Sequence, residues 1–207
     1  MKKIICLAII LFSMAAFVNA ATMAIMPKIG LDLATQRFSP ALDTSTYASK
    51  PMKLGFVGGV GFDYNLAVLG LEADVLFEQK GLKLTQADSS YSTETFNYLD
   101  VPILAKYNLK LGGSVLFLGV GPEFSLLLGT AQEKDYDSSG NLLTTTALTS
   151  AYKVVDFGIA IALGFEMYSF VIDARYSIGV GDTSNMVSDT KIRNDVLSFM
   201  VGYKISL

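Results

Sequence analysis

From Ala24 onward the chain repeats one phrase: a segment of roughly ten residues in which apolar and polar side chains alternate, then a turn or a polar stretch. The clearest copy is Val154 to Met167, where Val155, Phe157, Ile159, Ile161, Leu163 and Phe165 alternate with Asp156, Gly158, Ala160, Ala162, Gly164 and Glu166. Period-two alternation sends successive side chains to opposite faces of a strand, and a helix of 3.6 residues per turn cannot sort this set. The same rule sets Phe170, Ile172, Ala174, Tyr176 and Ile178 against Asp173, Arg175, Ser177 and Gly179. It also sets Leu197, Phe199, Val201, Tyr203, Ile205 and Leu207 against Ser198, Met200, Gly202, Lys204 and Ser206. Earlier copies place Ile29, Leu31 and Leu33 opposite Lys28, Gly30 and Asp32, and Leu54, Phe56, Val60 and Phe62 opposite Lys53, Gly55, Gly59, Gly61 and Asp63. Leu69, Leu71, Ala73, Val75 and Phe77 oppose Gly70, Glu72, Asp74, Leu76 and Glu78.

Two segments are less regular. Leu99, Val101, Ile103 and Tyr107 oppose Asp100, Pro102, Leu104 and Lys106, while Leu116 to Leu128 is apolar nearly throughout. In the latter, charge favours turning Gly119, Gly121, Glu123 and Ser125 to the polar face. Pro102 and Pro122 have no N–H for a ladder, which predicts bulges or bends there. The total is about eight strands, each greasy on one face and small or charged on the other. That is the pattern of an all-β, closed antiparallel up-and-down transmembrane β-barrel.

The connections alternate in length. Residues 37–52, 81–95, 129–152 and 183–194 are long and rich in Ser, Thr, Asp and Asn, whereas 65–68, 108–114 and 168–169 are short. Outer-membrane barrels put long loops outside the cell and short turns in the periplasm, and an even strand count brings both chain ends to the short-turn side. Phe62, Tyr64, Tyr107, Phe165, Tyr168, Phe170 and Tyr203 all fall at the short-turn ends, as an interfacial girdle requires.

Composition locates the chain. Apolar residues make up 51% and charged ones 17%, with a mean hydropathy of +0.44, rich for a soluble domain of 207 residues. Past residue 20, however, no run approaches the ~20 apolar residues of a membrane-spanning helix. Lys2 and Lys3, the apolar stretch Ile4 to Val18 and the small residue Ala20 form a signal-peptide pattern. We expect a cleaved signal over 1–20 and a barrel domain over 21–207. The stretch is short for a membrane anchor, and Cys6 lies at the wrong end of it for lipid attachment. Cys6 is the only cysteine, so the exported chain has no disulfide. The net charge is −3, about −5 without Lys2 and Lys3, and Lys and Arg are scattered singly, which argues against nucleic acid as a partner.

With the greasy face toward lipid, the interior receives Lys28, Asp32, Asp63, Glu72, Asp74, Lys106, Glu123, Asp156, Glu166, Asp173, Arg175 and Lys204, together with Lys53, Glu78 and Asp100. Buried charge is costly unless paired, and an eight-stranded barrel is just wide enough to be filled by its own side chains. The set therefore reads as a structural charge network, with a narrow polar conduit as the alternative; its excess of carboxylates would favour cations.

The segment Tyr98-Leu99-Asp100-Val101-Pro102-Ile103-Leu104-Ala105-Lys106-Tyr107, followed by Phe117-Leu118-Gly119-Val120-Gly121-Pro122, resembles the outer-membrane β-barrel domain family often labelled porin-like or PorT-like. Pro27 to Asp32, Leu71 to Phe77 and Asp173 to Ser177 are similar to that family's pattern in the same order. The resemblance implies an outer-membrane barrel and no settled activity. The C-terminus is similar to the signal read by the barrel-assembly machinery, which would use Gly202, Ile205 and Leu207; Leu207 stands where Phe is usual, and Met200 where a polar residue is.

No catalytic, cofactor or metal site emerges. Histidine, the usual general base of lipases, deacylases and proteases, is absent. Glu72 and Asp74 share a strand face but lack a calcium loop, so ion pairing explains them better. Gly58-Gly59-Val60-Gly61 is followed by neither Lys-Ser/Thr nor a helix. The leading expectation is a structural or surface-interaction protein, partnered by outer-membrane lipid and the assembly machinery. Any extracellular ligand would sit on loops 37–52 and 129–152. A small-solute channel is the alternative. A soluble lipocalin-like carrier with inverted faces is the second.

Overall fold

Alternation becomes strand wherever β-branched and aromatic residues fill one face and small or charged residues the other. A computed structural model describes residues 21–40, 47–148, 152–185 and 190–207, so the expected signal over 1–20 lies outside the described residues. Among those described, strands run as β1 (Ala21–Ser39), β2 (Tyr47–Ser49), β3 (Lys53–Leu66), β4 (Leu69–Gln86), β5 (Tyr91–Leu111) and β6 (Ser114–Leu127). They continue as β7 (Ala131–Tyr136), β8 (Leu142–Leu148), β9 (Val155–Met167), β10 (Phe170–Gly179), β11 (Lys191–Tyr203) and β12 (Ile205–Ser206). No helix among the described residues is long and apolar enough to cross a membrane.

Eight of these close a ring. Successive neighbours β1, β3, β4, β5, β6, β9, β10 and β11 pair antiparallel, and β11 returns to β1. Directly opposed residues trace one circuit: Met23, Tyr64, Leu71, Ala105, Val120, Ile161, Tyr176 and Leu197. The circuit re-enters β1 at Leu33, ten residues beyond its start. With eight strands, that stagger tilts the strands about 40° from the barrel axis and sets a backbone radius of about 8 Å, a space that side chains can fill.

The face assignment holds in the ring strands. Ile29, Leu31, Leu54, Phe62, Leu71, Leu118, Ile161, Ile172 and Phe199 are exposed on the outside, while Lys28, Asp32, Glu72, Asp100, Glu123 and Arg175 are buried inside. The irregular β6 follows the charge argument, with Gly119, Glu123 and Ser125 inward and Leu118, Val120, Phe124 and Leu126 outward. The inverted, lipocalin-like arrangement is therefore corrected: the aliphatic set covers the exterior. The outward aromatics near the short turns include Phe62, Tyr107, Tyr168, Phe170 and Tyr203, and the Phe170 and Tyr203 rings meet edge to face at 5.4 Å.

Three two-residue turns join β3 to β4, β5 to β6 and β9 to β10. In each the first loop residue has positive φ: Ala67 (56°), Gly112 (64°) and Tyr168 (56°). Left-handed backbone at this position matches the twist of the flanking strands.

Four expectations need correction. Residues 81–95 are not a long loop: β4 and β5 continue to a tight turn around Asp88, whose carboxylate accepts hydrogen bonds from the Ser90 N–H (3.0 Å) and hydroxyl (2.6 Å). Residues 129–152 contain the hairpin β7–β8, and β7 adds to β5 beyond the ring. Segment 37–52 likewise holds the end of β1 and the short β2. Alternating Thr, Leu and Tyr residues sustain these extensions, helped by the Tyr91–Tyr136 ring stack (4.7 Å) and by Lys83 Nζ over the Tyr91 ring (4.1 Å). Finally, Pro102 and Pro122 interrupt the β5–β6 ladder without shifting its register, because Pro102 still faces Glu123 and Ala105 still faces Val120.

A covered ladder of about ten residues spans a hydrocarbon layer at this tilt, so the 21 residues of β5 project well past it at the long-loop end. On the outer face the greasy band gives way there to Thr35, Gln79 and Asn97, and Gln79 Nε2 donates to Asn97 Oδ1 at 3.3 Å.

Candidate functional site: the charged interior and the long-loop end

Inward positions on neighbouring strands bring the interior charges into two clusters. In the first, Glu72 on β4 accepts from Lys28 on β1 (2.6 Å) and Lys106 on β5 (2.8 Å), and pairs with Arg175 on β10 at 3.1 Å. Lys28 also reaches Asp74 (3.1 Å) and Asp173 (3.3 Å), and Arg175 reaches the same two carboxylates at 2.8 and 3.0 Å. Lys106 binds Asp63 at 2.7 Å, and Lys204 joins Asp63 (3.0 Å) to Glu166 (2.8 Å). Nine residues, eight of them on six strands and Lys204 between β11 and β12, thus alternate in sign, and Arg175 is fully buried. Lys204 and Glu166 lie at its partly open edge, beside a cleft of about 230 Å³ lined by Asn65, Asn108 and Lys110 near the short turns.

The second cluster gathers around Lys80, whose Nζ lies 3.0 Å from Glu123, 3.1 Å from Asp100 and 3.8 Å from Glu78. Ser125 Oγ accepts from Lys80 at 3.1 Å, and Ser177 Oγ donates to Glu123 at 2.5 Å. Asp156 accepts from Asn194 Nδ2 at 3.1 Å. Asp32 is buried in this half with neither oxygen hydrogen-bonded.

Of the residues singled out from sequence, Lys28, Asp63, Glu72, Asp74, Lys106, Glu166, Asp173, Arg175 and Lys204 meet in the first cluster. Glu123 joins the second, Asp156 pairs with Asn194, and Asp32 makes no ion pair. Lys80 was missed, although continuing the alternation Glu72, Asp74, Leu76, Glu78 by one step reaches it. Gly202 faces inward opposite Lys28, where a Cβ would press on the Lys28 side chain, while Ile205 and Leu207 are exposed outside and β12 pairs with β1.

At the long-loop end, Phe96, Tyr98, Ala131, Tyr152 and Ile192 form an apolar cluster joined by Phe38, Leu127 and Leu148. Tyr152 donates to Glu94 at 2.7 Å and its ring meets Phe96 edge to face. Burial raises both the Glu94 carboxyl and the Tyr152 hydroxyl above their ordinary ranges. Beyond them the β7–β8 turn is organised by Asp137, which accepts from the N–H groups of Ser139 (2.9 Å) and Asn141 (2.8 Å) and from the Asn141 amide (2.9 Å). Those bonds hold its carboxyl below the usual range.

Curated protein sequences give no match to this chain. Among solved structures, the chain is similar to Neisserial surface protein A (15% identity, 87% of this chain and 97% of that one, TM-score 0.46). It is also similar to OprG from Pseudomonas aeruginosa (13%, 89% and 96%, TM-score 0.47) and to Ail of Yersinia pestis in complex with the heparin analogue sucrose octasulfate (15%, 89% and 99%, TM-score 0.43). A family model for the outer membrane protein β-barrel domain matches residues 19–185, most of the chain, and with a closed eight-strand ring, greasy outside and charged inside, this protein belongs to that family.

Proposed function

We propose that this protein is a structural and surface-interaction barrel, with its long-loop end displayed outside the cell and its lumen occupied by paired charges instead of a water path. Family membership implies the bacterial outer membrane as its location. The observation that carries the reading is the pairing inside: Lys28, Lys80, Lys106, Arg175 and Lys204 each contact two or more carboxylates, a set that would have to come apart for solute to pass.

The β7–β8 hairpin supports the surface role. Residues 138–147 are exposed, Leu142 and Leu143 among them, and β8 ends the sheet with its far edge unpaired among the described residues. An exposed edge offers backbone groups to an added strand. Gly202, Ile205 and Leu207 would serve the assembly machinery before the barrel closes through β11 and β1. The competing reading is a narrow cation channel, favoured by the excess of interior carboxylates.

Protease treatment of intact expressing cells and planar-bilayer recording of the purified, heat-modifiable protein test the proposal together. Cleavage within 137–148 with no stepwise conductance is the expected result. A steady cation-selective conductance would replace the reading by the channel, and a hairpin cut only after the cells are opened would reverse the orientation.

A further inference from the structure

The two interior clusters differ in balance. Around Lys80 stand Glu78, Asp100, Glu123 and Asp32, all buried to 4% exposure or less; Lys80 is the one cation in direct contact with them, while Lys53 acts on Asp32 and Arg175 on Glu123 from farther off. Asp32 interacts electrostatically with Lys80, Asp100 and Glu123, and Glu78 with Asp32. Neither oxygen of Asp32 or Glu78 accepts a closed hydrogen bond, Asp32 having only the Ser198 hydroxyl beside it; Asp100 is met by the Lys80 ammonium at 3.1 Å, and the Tyr98 hydroxyl is unsatisfied. Buried polar groups left open in this way call for an ion or water. The spacing favours an ion: one oxygen each from Glu78, Asp100 and Glu123 lie within 4.8 Å of one another. A cation such as Ca²⁺ sits 2.3–2.6 Å from each of its oxygens, which places ligand oxygens within about 5 Å of one another.

We propose that the chamber formed by Glu78, Asp100 and Glu123 binds a hard divalent cation of the Ca²⁺ type, with Asp32 supplying further negative oxygen. The Lys80 ammonium is the tethered cation that holds the same cage together and competes for it. Oxygen-only ligands and the absence of sulfur or imidazole exclude a soft-metal preference. The site is independent of whether the barrel conducts or displays a binding surface. Protonation of the carboxylates is the other way to relieve the same charge, and the experiment separates the two.

Terbium(III), a luminescent stand-in for Ca²⁺, is titrated into full-length protein in detergent, added before refolding in one series and after it in another because the chamber is buried. Tyr98 is the built-in donor, since Lys80 Nζ lies 5.2 Å from its ring centre. The expected result is saturable tyrosine-sensitised emission that Ca²⁺ reverses. Emission should be lost in the double variant Glu78→Gln, Asp100→Asn, and should saturate at roughly tenfold lower terbium in Lys80→Met, where the competing charge is gone. If the double variant does not fold, Asp32→Asn, which breaks no ion pair, should weaken binding by a similar factor. Emission unchanged in the carboxylate variants overturns the proposal. So does the lack of Ca²⁺-reversible emission in folded wild type and folded Lys80→Met, which would leave the carboxylates holding protons.

Discussion

Glu72 on β4 stands 2.6 Å from Lys28 on β1, two strands away, and the contact is buried on both sides. Lys106 and Arg175 converge on the same carboxylate, so Glu72 is the point at which three cations are held. Removing one member of a buried, hydrogen-bonded set leaves its partners uncompensated, at about 3–5 kcal/mol. Glu72→Gln should lower stability by that order, read as the urea midpoint of the detergent-folded barrel. Glu166→Gln, at the partly exposed end of the network, should cost no more than about 1 kcal/mol. Equal effects would mean that the network does not hold the ring.

Phe117 on β6 lies directly opposite Gly164 on β9, and its ring fills the space that a Gly164 side chain would need. Lys106 Nζ sits 4.5 Å above the same ring. Gly164→Ala should therefore overpack the interior and destabilise by roughly 1–3 kcal/mol. In a Phe117→Leu background the same substitution should cost clearly less. A double-mutant cycle that shows additivity would break this assignment.

Ala67 and Tyr168 hold, without the freedom of glycine, the left-handed backbone that Gly112 supplies in the third two-residue turn. Left-handed φ costs a non-glycine residue on the order of 1 kcal/mol. Ala67→Gly should stabilise the barrel by roughly 0.5–1 kcal/mol once the extra entropy of the unfolded glycine is subtracted, and Gly112→Ala should destabilise it similarly. Thermal loss of heat-modifiable mobility measures both.

The long-loop end responds to pH in two opposite ways. Burial raises the Glu94 carboxyl, so the folded extension binds more protons than the unfolded one. That contribution is complete below the ordinary glutamate range and is lost as pH rises through the raised value. The bonds from Asn141 lower the Asp137 carboxyl, so the stability it lends the β7–β8 turn is present above the ordinary aspartate range and disappears as pH falls through the lowered value. Glu94→Gln should slow amide exchange in β5 and β7 at neutral pH and flatten its dependence on acidification. Asp137→Ala should speed exchange in β7 and β8 near neutrality and leave β5 unchanged.

Much of this molecule is legible along the chain because period-two alternation is a local property. Eight strands, the side each residue takes, and the inward set from Lys28 to Lys204 all follow from it, as does the inward turn of Glu123 in a segment too apolar to show its phase. The signal expected over 1–20 rests on sequence alone. Continuing strands were less visible in 81–95 and 129–152, where Ser, Thr, Asp and Asn suit a polar loop and equally suit a ladder standing clear of the lipid.

Which acid meets which base belongs to the tertiary structure. Lys28 and Glu72 are 44 residues apart and Arg175 and Glu72 are 103 apart, and only the ten-residue stagger of the closed ring brings them to one height. The same closure gathers Glu78, Asp100 and Glu123 around Lys80 and leaves Asp32 without an ion pair, beside the Ser198 hydroxyl. Alternation along a strand says which way a side chain points; the register between strands, set around the whole ring, decides what it meets there.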